Sequence, residues 1–295
     1  IPNFTGVKVF KTKIEDVLNY IDWTPFFYTW EMKQKYPQIF EDEKYGLQAQ
    51  KLFDDANEML KKIIENDWIE LKSVIGIWSA CSDGDDILLK NSDNLLLETF
   101  CMLRQQTLKG KNNLSLSDYI APKESGKNDY VGAFVCSADL YKGTPLMNFE
   151  LDQDDYSTIM FKSISDRLAE ALTEFMHEKV RKELWAYSSD ENYSNSDLID
   201  EVYTGIRPAP GYTACPDHTE KLKIFKILNA KKNIGASLTE NMAMSPSSTV
   251  SGYYFSHPHS KYFPVGKIQD DQIEDYAKRK NMTINEVRKW LLSNI

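Results

Sequence analysis

Between Gly205 and Lys221 the chain reads GIRPAPGYTACPDHTEK, a stretch where groups able to do chemistry are crowded together. Arg207 is a permanent cation whose planar fork suits a carboxylate or a phosphate. Ala209 stands between Pro208 and Pro210 and carries the only backbone N–H of that trio, because proline has none. Cys215 and His218 flank Pro216 and Asp217, and could form a thiolate–imidazole pair or supply two metal ligands. The prolines, with Gly205 and Gly211, disfavour regular structure over about a dozen residues. Two readings stay open: a preformed ligand wall, or a stiff connector into a helix starting near Thr219.

Other candidates lie far from this stretch. Asp22 precedes Trp23 in an aromatic setting where an unpaired charge is costly, so it needs a partner, either a helix N-terminal amide or a bound polar ligand. Glu170 falls about 120° from the middle of the apolar stripe of its helix, the position of a solvated carboxylate. Tyr253-Tyr254-Phe255 and Tyr262-Phe263 read as strand or core packing, or as an aromatic wall for a flat or cationic group. Structural zinc wants four ligands, and the nearest candidates to join Cys215 and His218 are His257 and His259, which alone read as surface residues.

The elements that must hold these residues follow from periodicity. Residues 13–20 are weakly helical and lead into an aromatic run, 22–30, broken by Pro25. A long helix is expected over 43–66, with Leu47, Leu52, Ala56, Leu60 and Ile63 near one face, and a second over 152–182, with Met160, Ile164, Leu168, Leu172 and Phe175. Strands are expected at 74–78, 86–90, 95–103 and 130–136, with a turn at 91–94. Past the Pro-rich stretch come a helix near 219–231, strand structure between 237 and 265, and two closing helices. Thr283 and Glu286 form a capping box for the last one. Helices grouped around consecutive strands, without steady βαβ alternation, give an α+β fold: one domain over 1–295, with a central antiparallel sheet flanked by helices.

Composition narrows the function. The net charge of −9 and the acidic run 270–275 argue against nucleic-acid binding, even though 283–290 and the preceding helix superficially resemble a helix-turn-helix. Four widely spaced cysteines without a CxxC pair fit a reducing cytoplasm. No apolar run reaches the roughly 18 residues of a membrane span, and no signal peptide is evident. The dinucleotide, P-loop and serine-hydrolase glycine motifs are all missing, so any nucleotide-like ligand is held by another fold. Ile1 in place of an initiator methionine suggests a piece of a longer polypeptide.

Four segments together carry a family resemblance: Asp22-Trp23-Thr24-Pro25-Phe26-Phe27, Asp166-Arg167-Leu168-Ala169-Glu170-Ala171, Arg207-Pro208-Ala209-Pro210-Gly211-Tyr212, and Ser256-His257-Pro258-His259-Ser260-Lys261-Tyr262. In this order they resemble the C-terminal activation domain of cobalamin-dependent methionine synthases, over nearly the whole chain and least specifically over 106–129. The resemblance implies an elongated α+β domain that binds S-adenosylmethionine and presents its methyl group for reductive methylation of inactive cob(II)alamin. The cobalamin belongs to another domain, and a flavodoxin-type donor supplies the electron. Site residues implied are Arg207 for the ligand carboxylate, the Ala209 backbone, Asp22 and Glu170 for the ammonium or ribose hydroxyls, and Tyr212, Tyr262 and Phe263 beside the ligand. Some family members look to carry tyrosine at the position of Phe263. The same comparison makes Cys215 and His218 scaffold, and implies no metal site and no catalytic acid or base. The chain lacks the cobalamin motif Asp-x-His-x-x-Gly and the zinc cysteines, so the full homocysteine methylation needs other domains. A non-catalytic scaffold module of a reactivation system is the alternative; a Cys215 hydrolase or metal enzyme is a third reading.

Overall fold

The computed structural model describes residues 1–107, 112–140 and 144–295, so positions 108–111 of the weakly matching stretch lie outside the described residues. In chain order the elements are β1 (Gly6–Thr12), α1 (Ile14–Val17), α2 (Thr24–Thr29), α3 (Gly46–Glu65), β2 (Ile69–Asp83), β3 (Asp86–Lys90), β4 (Leu96–Cys101), β5 (Asp129–Leu140), α4 (Leu146–Leu151), α5 (Asp155–Lys179) and α6 (Asn195–Ile199). Then follow α7 (Glu220–Ile227), α8 (Ala230–Ile234), β6 (Ser237–Leu238), β7 (Met244–Ser245), β8 (Thr249–Tyr254), α9 (Asp270–Lys280) and α10 (Ile284–Trp290).

The central sheet has the order β4-β3-β2-β5-β8, and every pairing in it is antiparallel. The long strand β2 pairs with β5 along one edge; along the other it takes β1 at Leu71–Ile77 and β3 at Ser79–Asp83. Alternation along β2 sends Leu71, Ile75 and Ile77 to one core and Val74, Trp78 and Ala80 to the other. The first core is closed by α1, α2, α3 and α5, the second by α7, α8, α9 and α10. A sheet covered on both faces explains why 74–78 reads as an unbroken apolar run. It also explains why β2 runs well past those five positions: flanking residues such as Ser73 are buried too.

Elsewhere the structure shifts the expected bounds. Pro25 sits in the first turn of α2, where its missing N–H costs nothing, so it starts a helix within the aromatic run. Leu47 is 94% exposed, since it lies about 140° round α3 from Leu52, and Ala49 takes the core position instead. The helix expected near 219–231 is two helices, divided at Asn229 with φ 47°. The helix expected over 152–182 is α5, begun by the Asp154 side chain accepting from the Ser157 amide (3.0 Å) and followed by a π turn at Val180–Leu184. The capping box of Thr283 and Glu286 is present. Among the described residues, no helix is long and apolar enough to cross a membrane.

Candidate functional site

The Pro-rich stretch is an extra, proline-tolerant edge on the sheet. Ile206 and Phe255 exchange both backbone hydrogen bonds at 3.0 Å, and the Tyr253 amide donates to the Pro208 carbonyl at 2.9 Å. The pairing extends β8 on the side away from β5, where Pro208 and Pro210 cost no ladder bond because an edge residue needs no donor outward. Gly211, at φ 98°, then reverses the chain: its amide donates to the Cys215 carbonyl (2.7 Å) and the Cys215 amide to the Tyr212 carbonyl (3.0 Å). Val265 donates to the Thr213 carbonyl at 2.8 Å and ties the far end down. The Ala209 amide donates to no backbone carbonyl among the described residues, although its carbonyl accepts from Tyr212 (3.2 Å).

This edge faces the exposed side of α5 across a cleft of about 420 Å³, lined among others by Glu170, Thr173, Glu201, Arg207, Ala209, Tyr212, Thr213 and Tyr262. A second lobe of about 280 Å³ shares Glu170 and Arg207 with it and adds Tyr20, Asp22, Arg167 and Glu174. Six of the seven positions singled out in the sequence therefore meet around one cleft. Glu170 is exposed as its helical phase requires, and that exposure is what places it on the cleft wall. Of the two partners left open for Asp22, the helix amide is present: Oδ1 accepts from the Thr24 amide at 2.9 Å. Tyr212 is 70% exposed and Tyr262 is 40% exposed, at the rim. Phe263 is the departure. It is 5% exposed and packs into the core edge-on to Tyr119, because the chain alternates direction after Tyr262; its ring does not line the cleft. A larger hollow of about 660 Å³ at the end of β1 contains none of these residues, and on its wall Lys11 pairs with Glu70 at 2.7 Å.

Arg207 is the hinge between the two lobes. Its amide donates to the Tyr262 hydroxyl at 3.0 Å. Its Nη2 pairs with Glu174 at 2.6 Å, and its Nη1 reaches His177 Nδ1 at 3.1 Å and the Tyr203 hydroxyl. A guanidinium has five N–H groups. These contacts take three of them and leave Nε–H and one Nη2–H, donors suited to a carboxylate. Burial opposes the charge on Arg207, but Glu174 and the neighbouring hydroxyls outweigh it and hold the pKa above its usual value. Burial raises the Glu174 carboxyl against the pull of Arg207 and Arg181.

Cys215 and His218 are structural. Burial pushes the Cys215 thiol well above its ordinary pKa, which disfavours the thiolate a free nucleophile needs. The His218 ring lies against Gly211, and its Nδ1 is 3.0 Å from Lys221 Nζ. Asp217 turns the chain just before α7, its Oδ1 accepting from the Thr219 amide at 2.8 Å, and pairs with Lys280. His257 Nδ1 accepts from the His259 amide (3.1 Å) within its own turn. Tyr253, Tyr254 and Phe255 are wholly buried, so the core reading holds for that cluster.

Glu174, His177, Tyr203 and Glu201 were not singled out from the sequence. The signal for the first two was there: Glu170, Glu174, His177 and Arg181 recur at helical spacing, a polar stripe beside the apolar positions Leu168, Leu172 and Phe175. Nothing local marks Tyr203 or Glu201.

Comparison with known proteins shows the family and the fold. Residues 13–281 match the family model described as vitamin B12 dependent methionine synthase, activation domain. A solved structure, the crystal structure of the MetH reactivation domain bound to AdoHcy, superimposes with a TM-score of 0.97 at 49% identity, covering 100% of this chain and 92% of that one. With the family model matched over most of its length and its fold shared with that reactivation domain, the chain belongs to the family of vitamin B12-dependent methionine synthase activation domains.

Proposed function

We propose that this chain binds S-adenosylmethionine in the cleft between α5 and the Arg207–Cys215 edge. There it presents the ligand's methyl group for the reductive methylation that returns inactive cob(II)alamin to service. The carrying observation is that Arg207, with donors left over from its protein contacts, stands between a lobe of carboxylates and a lobe walled by backbone and aromatic side chains. A zwitterionic amino acid joined to a nucleoside needs that division: a cation for its carboxylate, anions for its ammonium, and donors and flat surfaces for its base. Asp22 and Glu170 would serve the ammonium or the ribose hydroxyls, with Glu201 a further carboxylate in the main lobe. The Ala209 amide and carbonyl would contact the ligand, and the methyl side chain permits close approach. Tyr212 and Tyr262 would cover it at the rim. The bound AdoHcy of the similar reactivation domain, the demethylated form of the same ligand, supports this reading.

When bound, S-adenosylmethionine supplies a sulfonium methyl group whose transfer is strongly favourable. The chain's own residues hold and orient it, a proximity role that needs no acid or base. The partners in this reading are the cobalamin-binding domain of the parent methionine synthase and a flavodoxin-type electron donor, in the cytoplasm. The chain acts as one domain, 1–295, of a methyltransferase whose cobalamin, zinc and folate sites lie elsewhere. Calorimetric titration with S-adenosylmethionine tests the reading. Saturable binding by the wild type that is lost or greatly weakened in Arg207→Ala supports it; no binding, or binding indifferent to Arg207→Ala, rejects it.

A further inference from the structure

Behind Arg207 stands a second row of buried groups with no access to the main lobe. His177 is completely buried, stacked on Tyr254 (centroids 5.1 Å apart, planes 17°) and edge-on to Tyr203 (5.0 Å, 86°). Arginine can only donate, so His177 Nδ1 must accept from Arg207, which puts the ring's proton on Nε2, 3.5 Å from the Tyr187 hydroxyl. Arg181, also completely buried, lies 3.9 Å over the Tyr203 ring and 3.7 Å from Glu174. Its Nε donates to both carboxylate oxygens of Glu191, at 2.8 and 2.9 Å. Charges therefore alternate along Glu191, Arg181, Glu174 and Arg207, with a neutral imidazole wedged against the last.

We propose that Glu174 and His177 are positioning residues that act through Arg207 and give the cleft its preference for ligands carrying an α-carboxylate. The proposal rests on reading the cleft as an S-adenosylmethionine site. A long, freely rotating arginine would meet a carboxylate in many geometries. Here Glu174, His177 and Tyr203 clamp both Nη atoms and fix the plane of the fork, so Nε–H and the remaining Nη2–H keep one direction. His177 suits the clamp because it adds an acceptor without a charge beside two guanidiniums; a carboxylate there would compete with the ligand for Arg207.

The test compares two probes by calorimetric titration of the full chain: S-adenosylhomocysteine, and 5′-methylthioadenosine, which keeps the nucleoside thioether but has no amino-acid group. Wild type should prefer S-adenosylhomocysteine. Arg207→Ala, Glu174→Gln and His177→Phe should each shrink that preference by about tenfold or more while 5′-methylthioadenosine binds within about twofold of wild type. His177→Gln, which retains an acceptor, should keep most of the preference. If Arg207→Ala shrinks the preference but Glu174→Gln and His177→Phe do not, or if those two weaken both probes equally, the positioning role is overturned. If wild type has no preference, or Arg207→Ala leaves it intact, the reading of the cleft itself fails. Should Glu174→Gln not fold, His177→Phe decides, since phenylalanine preserves the stack on Tyr254.

Discussion

A Cβ on Gly252 would lie 2.7 Å from the carbonyl oxygen of Pro208 and about as close to the Phe134 ring, at 3.0 Å. The cleft edge docks on β8 at this spot because the strand offers no side chain there. Gly252→Ala has to push Pro208 outward or strain β8, an overpacking cost of about 1–3 kcal/mol. Arg207 and Ala209 flank Pro208 and move with it, so ligand affinity should fall along with stability. Urea melts and ligand titration on the same variant check both effects; unchanged affinity would mean that the edge is not anchored through this contact.

Gly211 is needed for a different reason. Its φ of 98° is one that side chains rarely adopt, and a Cβ would also sit 2.2 Å from the His218 ring. The backbone share of Gly211→Ala is about 1–2 kcal/mol. The ring share can relax, since His218 lies at the surface and can swing away by giving up its contact with Lys221. Thermal melts should therefore show Gly211→Ala destabilising, with His218→Ala recovering only part of the loss when the two are combined. Full recovery would put the whole cost on the ring and none on φ.

These glycines mark how far the sequence could be read. The long helices and the strands were legible because burial on one or both faces writes a period into the residue types, and Glu170 was correctly phased as exposed. Its place on a cleft was not legible from phase alone, because the opposite wall is some forty positions away in sequence and reaches it by pairing Ile206 with Phe255. The resemblance supplied Asp22, Glu170, Arg207, Ala209, Tyr212 and Tyr262 as a set, and the fold brings those six together. It also supplied Phe263, whose direction a one-residue alternation turns into the core. The clamp on Arg207 escaped notice because a buried charge is visible only when its partners are.

Lys280 reaches from the end of α9 to Asp217 and, at 2.8 Å, to Glu220; Glu220 also pairs with Lys223 at 2.8 Å. Burial works against the Lys280 charge, yet Glu220 and Asp217 raise its pKa above the ordinary value. Among the described residues, Lys280→Met leaves the buried Asp217 without a cationic partner and Glu220 with Lys223 alone, and removing one partner of such a group costs about 3–5 kcal/mol. Asp217 follows the Cys215 end of the cleft edge by two residues, so affinity for S-adenosylmethionine should fall as well. Adding Asp217→Asn removes one of the orphaned charges, so the double variant should be more stable than the sum of the single losses predicts. Additive losses in urea melts would deny the coupling.

Acid should weaken the fold through His177. Burial, with Arg181 and Arg207 adding to it, lowers the His177 pKa well below its usual value, so the folded chain holds this ring neutral. In the unfolded chain it titrates near about 6.5. Below that pH the unfolded state binds a proton that the folded state refuses. Stability contributed by the neutral ring is thus fully present above about pH 6.5 and falls as pH drops, by up to about 1.4 kcal/mol per pH unit, until the lowered folded pKa is reached. His218 adds a slope of the same sign, its pKa lowered by the partial burial of its ring and by Lys221. Unfolding free energies from urea melts between pH 7.5 and 5 should therefore decline for wild type and decline less steeply for His177→Gln, which carries no titrating ring. Equal slopes would show that His177 is not held neutral against Arg207, and would remove the tautomer on which its place in the clamp depends.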